Sequence, residues 1–293
     1  MNRYSIKNLE ELGDVKAHTI RIWEQRYGLL KPDRTDTNIR YYDDNDLKKF
    51  LNVCLLLKNG GKISKLSRMS EKDIADKIDL LIAASDKHLQ ASEAFINQLL
   101  IAVSSYDELL FDKTFKTAVT HMGLKNTYLK VIYPMLVKVG LLWCKNNIMP
   151  AQEHFLSNLI QKKLFAAIDS LPLKSNSQEC WLLFLYQQED HEIGLLFANY
   201  LLRQMGLKVI YLGARVPFEN LEAVIRDCRP THALTFFVRH HPQIKNLLAD
   251  TKKQFKQLKL YASGNNDVLN EKVLPNGVIK INSPNELLEA AVK

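Results

Sequence analysis

The residue with the most chemistry to offer is His191, in the run Glu189-Asp190-His191-Glu192-Ile193-Gly194. An imidazole nitrogen suits a mid-row transition metal. A carboxylate bonded to the other ring nitrogen would fix its tautomer, and Glu189 or Asp190 could be that carboxylate. On residue type alone, a lone loop His before a helix is more often a solvated polar residue. A second constellation is Trp143, followed ten residues on by Glu153-His154. Taken singly, a Trp near a helix end is core, and a Glu-His pair at a helix start is capping and surface. His240 and His241 are either further ligands or exposed loop residues. The sequence shows no nucleophile paired with a base, no zinc-ligand spacing and no Gly-rich phosphate loop. Gly213-Ala214-Arg215 is too short for a dinucleotide fingerprint. The chain therefore reads as a protein that is not an enzyme.

The elements that must position these residues follow from periodicity. Cys180–Tyr186 is an unbroken apolar run and reads as a fully buried strand. A polar turn follows, then a helix over Glu192–Met205 with Ile193, Leu196, Phe197, Tyr200 and Leu201 on one face, stopped by Gly206. His191 thus falls on the loop leaving a buried strand. Further strands are expected at Lys208–Leu212, Ala233–Val238, Lys259–Ala262 and Val278–Ile281. Helices are expected at Pro217–Arg226, Pro242–Gln257 and Asn285–Val292. That alternation predicts a doubly wound parallel sheet, in which flavodoxin-like order would bring His191 opposite Phe236–His241.

Before it, Glu71–Ser85, Lys87–Ser104, Tyr106–Met122, Asn126–Lys145 and Ala151–Ser170 read as helices of a bundle, with Ser70, Asp86, Ser105 and Asn126 as caps. The N-terminal part reads as Ile6–Leu12 after Ser5, then Lys16–Tyr27, joined by a tight turn at Gly13. A polar hairpin between Arg34 and Arg40 and a helix at Asn45–Lys58 follow. Two short helices so joined make a helix-turn-helix.

The 293 residues carry a net charge of +8, which agrees with a polyanion partner. No apolar run is long enough to span a bilayer and no signal peptide is visible, so no membrane role and a cytoplasmic location are expected. The four cysteines lie far apart, without a disulfide framework.

Two resemblances sharpen this. Ile20–Thr35 (IRIWEQRYGLLKPDRT), Arg40-Tyr41-Tyr42 and Gly60-Gly61-x-Ile63 resemble the DNA-binding domain of MerR-type regulators. The resemblance implies a winged helix-turn-helix on double-stranded promoter DNA. Thr19, Arg21 and Arg26 on the helix, and Arg34, Arg40 and Tyr41 on the wing, would lie near the DNA. The spacing Glu189-x-His191-x-x-Gly194 resembles the fingerprint of cobalamin-binding domains, with Glu where the common form has Asp. Trp143 with Glu153-His154 resembles the signature of cobalamin-dependent, light-responsive MerR-type regulators, the CarH-like group. Adenosylcobalamin is then the implied cofactor, with His191 as lower axial cobalt ligand. Glu189, Asp190 and Gly194 lie beside it, and Trp143, Glu153 and His154 line the upper face, between bundle and sheet.

Members usually carry a small hydroxyl residue after the third strand and a Gly-Gly pair after the fourth, accommodating the nucleotide tail. This chain has Phe236-Phe237-Val238-Arg239 and Ser263-Gly264-Asn265. Ser263 and Gly264 are the candidates at the second place.

The expected architecture is multidomain, α and α/β. A winged helix-turn-helix spans 1–72, a helical bundle 73–174, and a flavodoxin-like doubly wound sheet 175–293. The expected function is a DNA-binding regulator, read as a repressor, sensing adenosylcobalamin and light and self-associating to a dimer or tetramer. Two alternatives stand beside it: a MerR-type regulator whose degenerate pocket binds no cobalamin and acts through protein or small-molecule contacts, and a corrinoid methyl-carrier module.

Overall fold

The computed structural model describes residues 3–84, 88–144, 150–172, 179–270 and 273–292. It divides into two compact units, Met1–Leu156 and Ser157–Lys293.

The first unit starts with Ser5, whose hydroxyl accepts from the Asn8 N–H and caps α1 (Ile6–Gly13). The helix ends at Gly13 as expected, and the next residue, Asp14, takes the left-handed conformation at φ 57°. Gly13 is also needed for packing, since a Cβ there would lie 2.4 Å from Phe50 Cε1. After α2 (Ala17–Tyr27), β1 (Asp33–Arg34) and β2 (Arg40–Tyr41) pair antiparallel as the wing. Asp43 caps α3 (Asp44–Lys58), and the short α4 (Ile63–Leu66) closes the head.

The helices α5 (Glu71–Ala84), α6 (His88–Ser104), α7 (Glu108–Thr127), α8 (Tyr133–Cys144) and α9 (Pro150–Asp169) follow. Ser70 bonds Asp73 at the start of α5 as expected. The expected cap Asp86 lies outside the described residues. Asp107, not Ser105, caps α7. Asn126 caps nothing: α7 kinks at Gly123 (φ 75°) and continues through one π-helical turn, Tyr128–Ile132, into α8. One apolar cluster runs from Leu9, Ile20, Leu47 and Phe50 in the head to Ile74, Ile78, Ala94 and Ile101 in α5 and α6. Burying such side chains contributes about 1.5–3 kcal/mol each, so the head is packed onto these helices, not tethered to them.

In the second unit a parallel sheet has the order β4-β3-β5-β6-β7. Its strands are β3 (Cys180–Tyr186), β4 (Lys208–Val216), β5 (His232–Phe237), β6 (Lys259–Gly264) and β7 (Val278–Ile281). All seven residues of β3 are buried, as an inner strand covered on both faces requires. β4 runs four residues beyond its expected end at Leu212, because Gly213 and Arg215 take left-handed φ values and bulge the strand. The helices are α10 (Ile193–Gln204), α11 (Phe218–Cys228), α12 (Ile244–Gln254) and α13 (Pro284–Ala290). Leu195, Ala198 and Leu202 of α10 join the cluster on the sheet, a different stripe from the one the periodicity picked out. The order is flavodoxin-like, and the strand order reverses between β3 and β5.

Candidate functional site

The site grows out of that reversal. β3 and β5 are neighbours in register, Phe184 opposite Thr235, so the loops at their C-terminal ends emerge side by side. Glu189 joins them. It is 3% exposed. Its Oε1 accepts from the backbone N–H groups of Asp190 and His191, both at 3.1 Å, and faces His191 Nδ1 in a short contact. Its Oε2 accepts from the N–H of Val238 at 2.7 Å and of Arg239 at 3.2 Å. Burial by itself would raise this carboxyl's pKa. The bond to His191 and the backbone donors of Val238, Arg239 and His191 outweigh it and hold the pKa at about 2.

An ionised carboxylate only accepts. Nδ1 of His191 therefore carries the proton that faces Glu189, and in the neutral ring the lone pair is on Nε2. The His191 side chain is one-third exposed. The donor atoms of Glu189, Asp190 and His191 lie within 4.8 Å of one another. Glu189 is nevertheless not a metal ligand here, because its two oxygens already receive five N–H groups. It orients His191, and the ring nitrogen left open toward a metal would be Nε2. Asp190 sits 3.3 Å from Nδ1 and pairs with Arg215 Nη2 at 3.0 Å. An exposed pair of this kind is worth 0 to about 1 kcal/mol, so it orients the loop more than it stabilises it.

Gly194 opens α10 directly beneath Phe236. A Cβ at Gly194 would lie 2.9 Å from Phe236 Cε1. The phenyl ring therefore occupies the space that the missing side chain leaves. Phe237 points to the opposite face of the sheet, buried and stacked on Tyr186 with centroids 5.7 Å apart. Ser263 donates its hydroxyl to the Ile281 carbonyl at 2.8 Å. Gly264, at φ 135°, would place a Cβ 2.1 Å from the Phe237 carbonyl oxygen. Both residues thus serve the sheet edge. An imidazole held by Glu189 fits a single ligand to a metal, while the space over Gly194 is filled by the Phe236 ring.

In the first unit, Trp143 falls on α8, and its side chain lies outside the described residues. Glu153 and His154 occupy the first turn of α9 as expected, with His154 Nδ1 3.2 Å from Glu153 Oε2 and the His154 side chain 75% exposed.

On the head, α2 exposes His18, Arg21, Ile22, Gln25 and Arg26. His18, Arg21, Ile22 and Gln25 follow i, i+3, i+4, i+7 spacing and share one face. Ile22 and Gln25 complete that face without having been singled out above; counting helical steps from His18 finds them. Thr19 is half-buried beside His18. Arg26 lies over its own neighbour Tyr27, 5.6 Å from the ring centroid. On the wing, Arg34 is exposed and bonds Asn38. Tyr41 carries Arg3 over its ring at 4.6 Å. Arg40 is partly withdrawn: its Nε faces Glu24 of α2 at 3.5 Å.

Residues 4–73 match the MerR HTH regulatory protein family, and residues 95–167 match the B12 binding domain family. The chain joins a MerR-type DNA-binding domain to a B12-binding domain. The B12 match covers the helices α6 to α9, in which positions 143, 153 and 154 lie. The chain is 29% identical to the HTH-type transcriptional repressor CarH of Myxococcus xanthus over 230 residues, covering 78% of this chain and 76% of CarH. It is 23% identical to CarA, a repressor of the same organism, over 80% of this chain and 76% of CarA. The monomethylamine corrinoid protein of Methanosarcina barkeri superposes with a TM-score of 0.54 at 15% identity, covering 69% of this chain and 94% of its own. At that identity the likeness speaks for the fold alone. No helix among the described residues is long and apolar enough to cross a membrane.

Proposed function

We propose that this protein is a transcriptional regulator that binds promoter DNA through α2 and the wing and senses a cobalamin through His191. The observation that carries the reading is the Glu189 hub, which fixes the imidazole and makes Nε2 its free lone pair. A cobalamin would supply a cobalt centre that His191 Nε2 would hold and, as adenosylcobalamin, a cobalt–carbon bond open to cleavage by light. The chain's own part is to present Nε2 from the loop after β3 and to hold that loop through Glu189. Trp143, Glu153 and His154 are the residues proposed to meet the ligand's upper face. Repression is supported by the likeness to the transcriptional repressors CarH and CarA. A dimeric or tetrameric state and a light response belong to the same proposal, on the resemblance carried by Trp143 with Glu153-His154.

The Phe236 ring over Gly194 favours a second reading, a regulator that kept the scaffold but lost the pocket. The winged head disfavours a methyl carrier, which has no use for groove recognition. One experiment separates the first two readings. The full chain is mixed with adenosylcobalamin in the dark, desalted, and its visible spectrum and size recorded before and after green light. Retained corrin bands that disappear in His191→Ala support the sensor. A colourless wild-type chain, with colour gained only by Phe236→Ser, supports the lost pocket.

A further inference from the structure

Inside the first unit, the head is fastened at both ends of α1 to the helices that bear positions 143, 153 and 154. Ahead of α1, Tyr4 is buried, and its hydroxyl accepts from Gln152 Nε2 at 3.3 Å. The same amide also donates to the Ser104 carbonyl at 3.1 Å. The Tyr4 hydroxyl donates in turn to Asp44 Oδ1 at 3.0 Å, in the first turn of α3. Gln152 is 3% exposed and immediately precedes Glu153 and His154 on α9. At the other end, Lys138 Nζ of α8 donates to the Leu12 carbonyl at 2.6 Å. That carbonyl belongs to the last turn of α1, where a cation both satisfies an orphan acceptor and complements the helix dipole.

The linkage continues toward the DNA-facing side. Tyr4 and Tyr42 exchange backbone hydrogen bonds at 2.8 and 2.9 Å, so the strand before α1 is zipped to the residue that ends the wing. The Tyr42 hydroxyl donates to Glu24 of α2, and Glu24 also faces Arg40 of the wing. A continuous polar path thus runs from Gln152 through Tyr4 and Tyr42 to Glu24.

We propose that Gln152 and Lys138 form a two-point clamp on α1 that sets the geometry of the recognition helix and wing, and that this clamp is how the ligand state of α8 and α9 reaches the DNA. The transmission half rests on the cobalamin reading above. Displacement of α8 or the first turn of α9 loosens α1 at one end or both. The clamped form is the one with α2 and the wing held for DNA, so release weakens binding. Gln152 and Lys138 act as positioning residues, remote from the nucleic acid.

The test uses the full chain and duplexes enriched by the wild-type protein from a random-sequence pool. Tyr4→Phe/Lys138→Met loosens both points, and Gln152→Ala loosens one from the bundle side while leaving every head residue intact. Two hydrogen bonds of ordinary net strength correspond to roughly a ten-fold change in affinity, and one to about three-fold. The double variant is expected to bind these duplexes about ten-fold more weakly and Gln152→Ala about three-fold. Amide hydrogen exchange should quicken across residues 4–13 in both. The ratio of DNA affinities with and without adenosylcobalamin should also shrink toward one, with the corrin bands retained. Affinities within two-fold of wild type and unchanged exchange overturn the clamp. If corrin bands appear but the affinity ratio survives the variants, transmission fails while the sensor stands. If the wild-type chain takes up no cobalamin, the sensor fails, and the clamp is decided by the ligand-free affinities and exchange alone.

Discussion

Glu189 gathers four backbone N–H groups and the His191 ring nitrogen at the loop after β3. Removing its charge while keeping its shape, as in Glu189→Gln, frees the Nδ1 proton from a charged acceptor. An amide also has one oxygen, so the four backbone donors and the ring can no longer all be served. Loss of an orienting partner typically costs 10- to 100-fold in metal affinity. Cobalamin titration of Glu189→Gln, followed by absorbance, should show a loss in that range; an unchanged affinity would remove Glu189 from the site. His232 makes a separate prediction. It is buried and stacked on Trp181, centroids 4.5 Å apart. Burial lowers its pKa, Glu179 pulls it back up, and Lys259 adds to the lowering. The unfolded chain takes up this proton near pH ~6.5 while the folded one resists it, so folding stability must fall as pH drops from that value toward the lowered native one. Denaturant unfolding of His232→Phe should show a flatter pH dependence than wild type between about pH 7 and 5. Equal slopes would mean that His232 charges in place.

At the scale of elements, the sequence already carried most of the fold, and particular residues show why. Cys180–Tyr186 is apolar throughout, which only an inner strand tolerates, and its position fixed where His191 would emerge. Asp43 and Ser5 announce helix starts because their side chains have one obvious use there. What stayed hidden depends on contacts between distant residues. Gly13 looks like a turn glycine until Phe50 is seen against it. The bulge that lengthens β4 arises at Gly213 and Arg215, which no alternation of apolar residues marks. Phe236 could be suspected of filling space, but that its ring rests on Gly194, while the adjacent Phe237 points away, needs the register of β5. Gln152 and Lys138 look like ordinary polar helix residues, and nothing local tells that Tyr4 and Leu12 are their partners. Gly264 gives the element-scale prediction. Its φ of 135° and a Cβ 2.1 Å from the Phe237 carbonyl leave no flexible group to yield. Gly264→Ala should destabilise the sheet unit by roughly 3 kcal/mol or more, readable as an early thermal transition. A wild-type transition would show that the β6 loop reshapes freely.

The whole molecule joins a MerR-type head to helices that match the B12 binding domain family and to a parallel α/β sheet. One apolar core is shared by the head and α5–α6. A ligand shifts such a system only by its differential affinity for two arrangements, and a ten-fold change in DNA affinity corresponds to about 1.4 kcal/mol of coupling. The most direct measurement is the affinity of the full wild-type chain for its enriched duplex, in the dark, with and without saturating adenosylcobalamin at one fixed salt concentration. The two affinities are expected to differ by about ten-fold or more. Identical affinities from a chain that visibly retains the corrin would contradict that coupling.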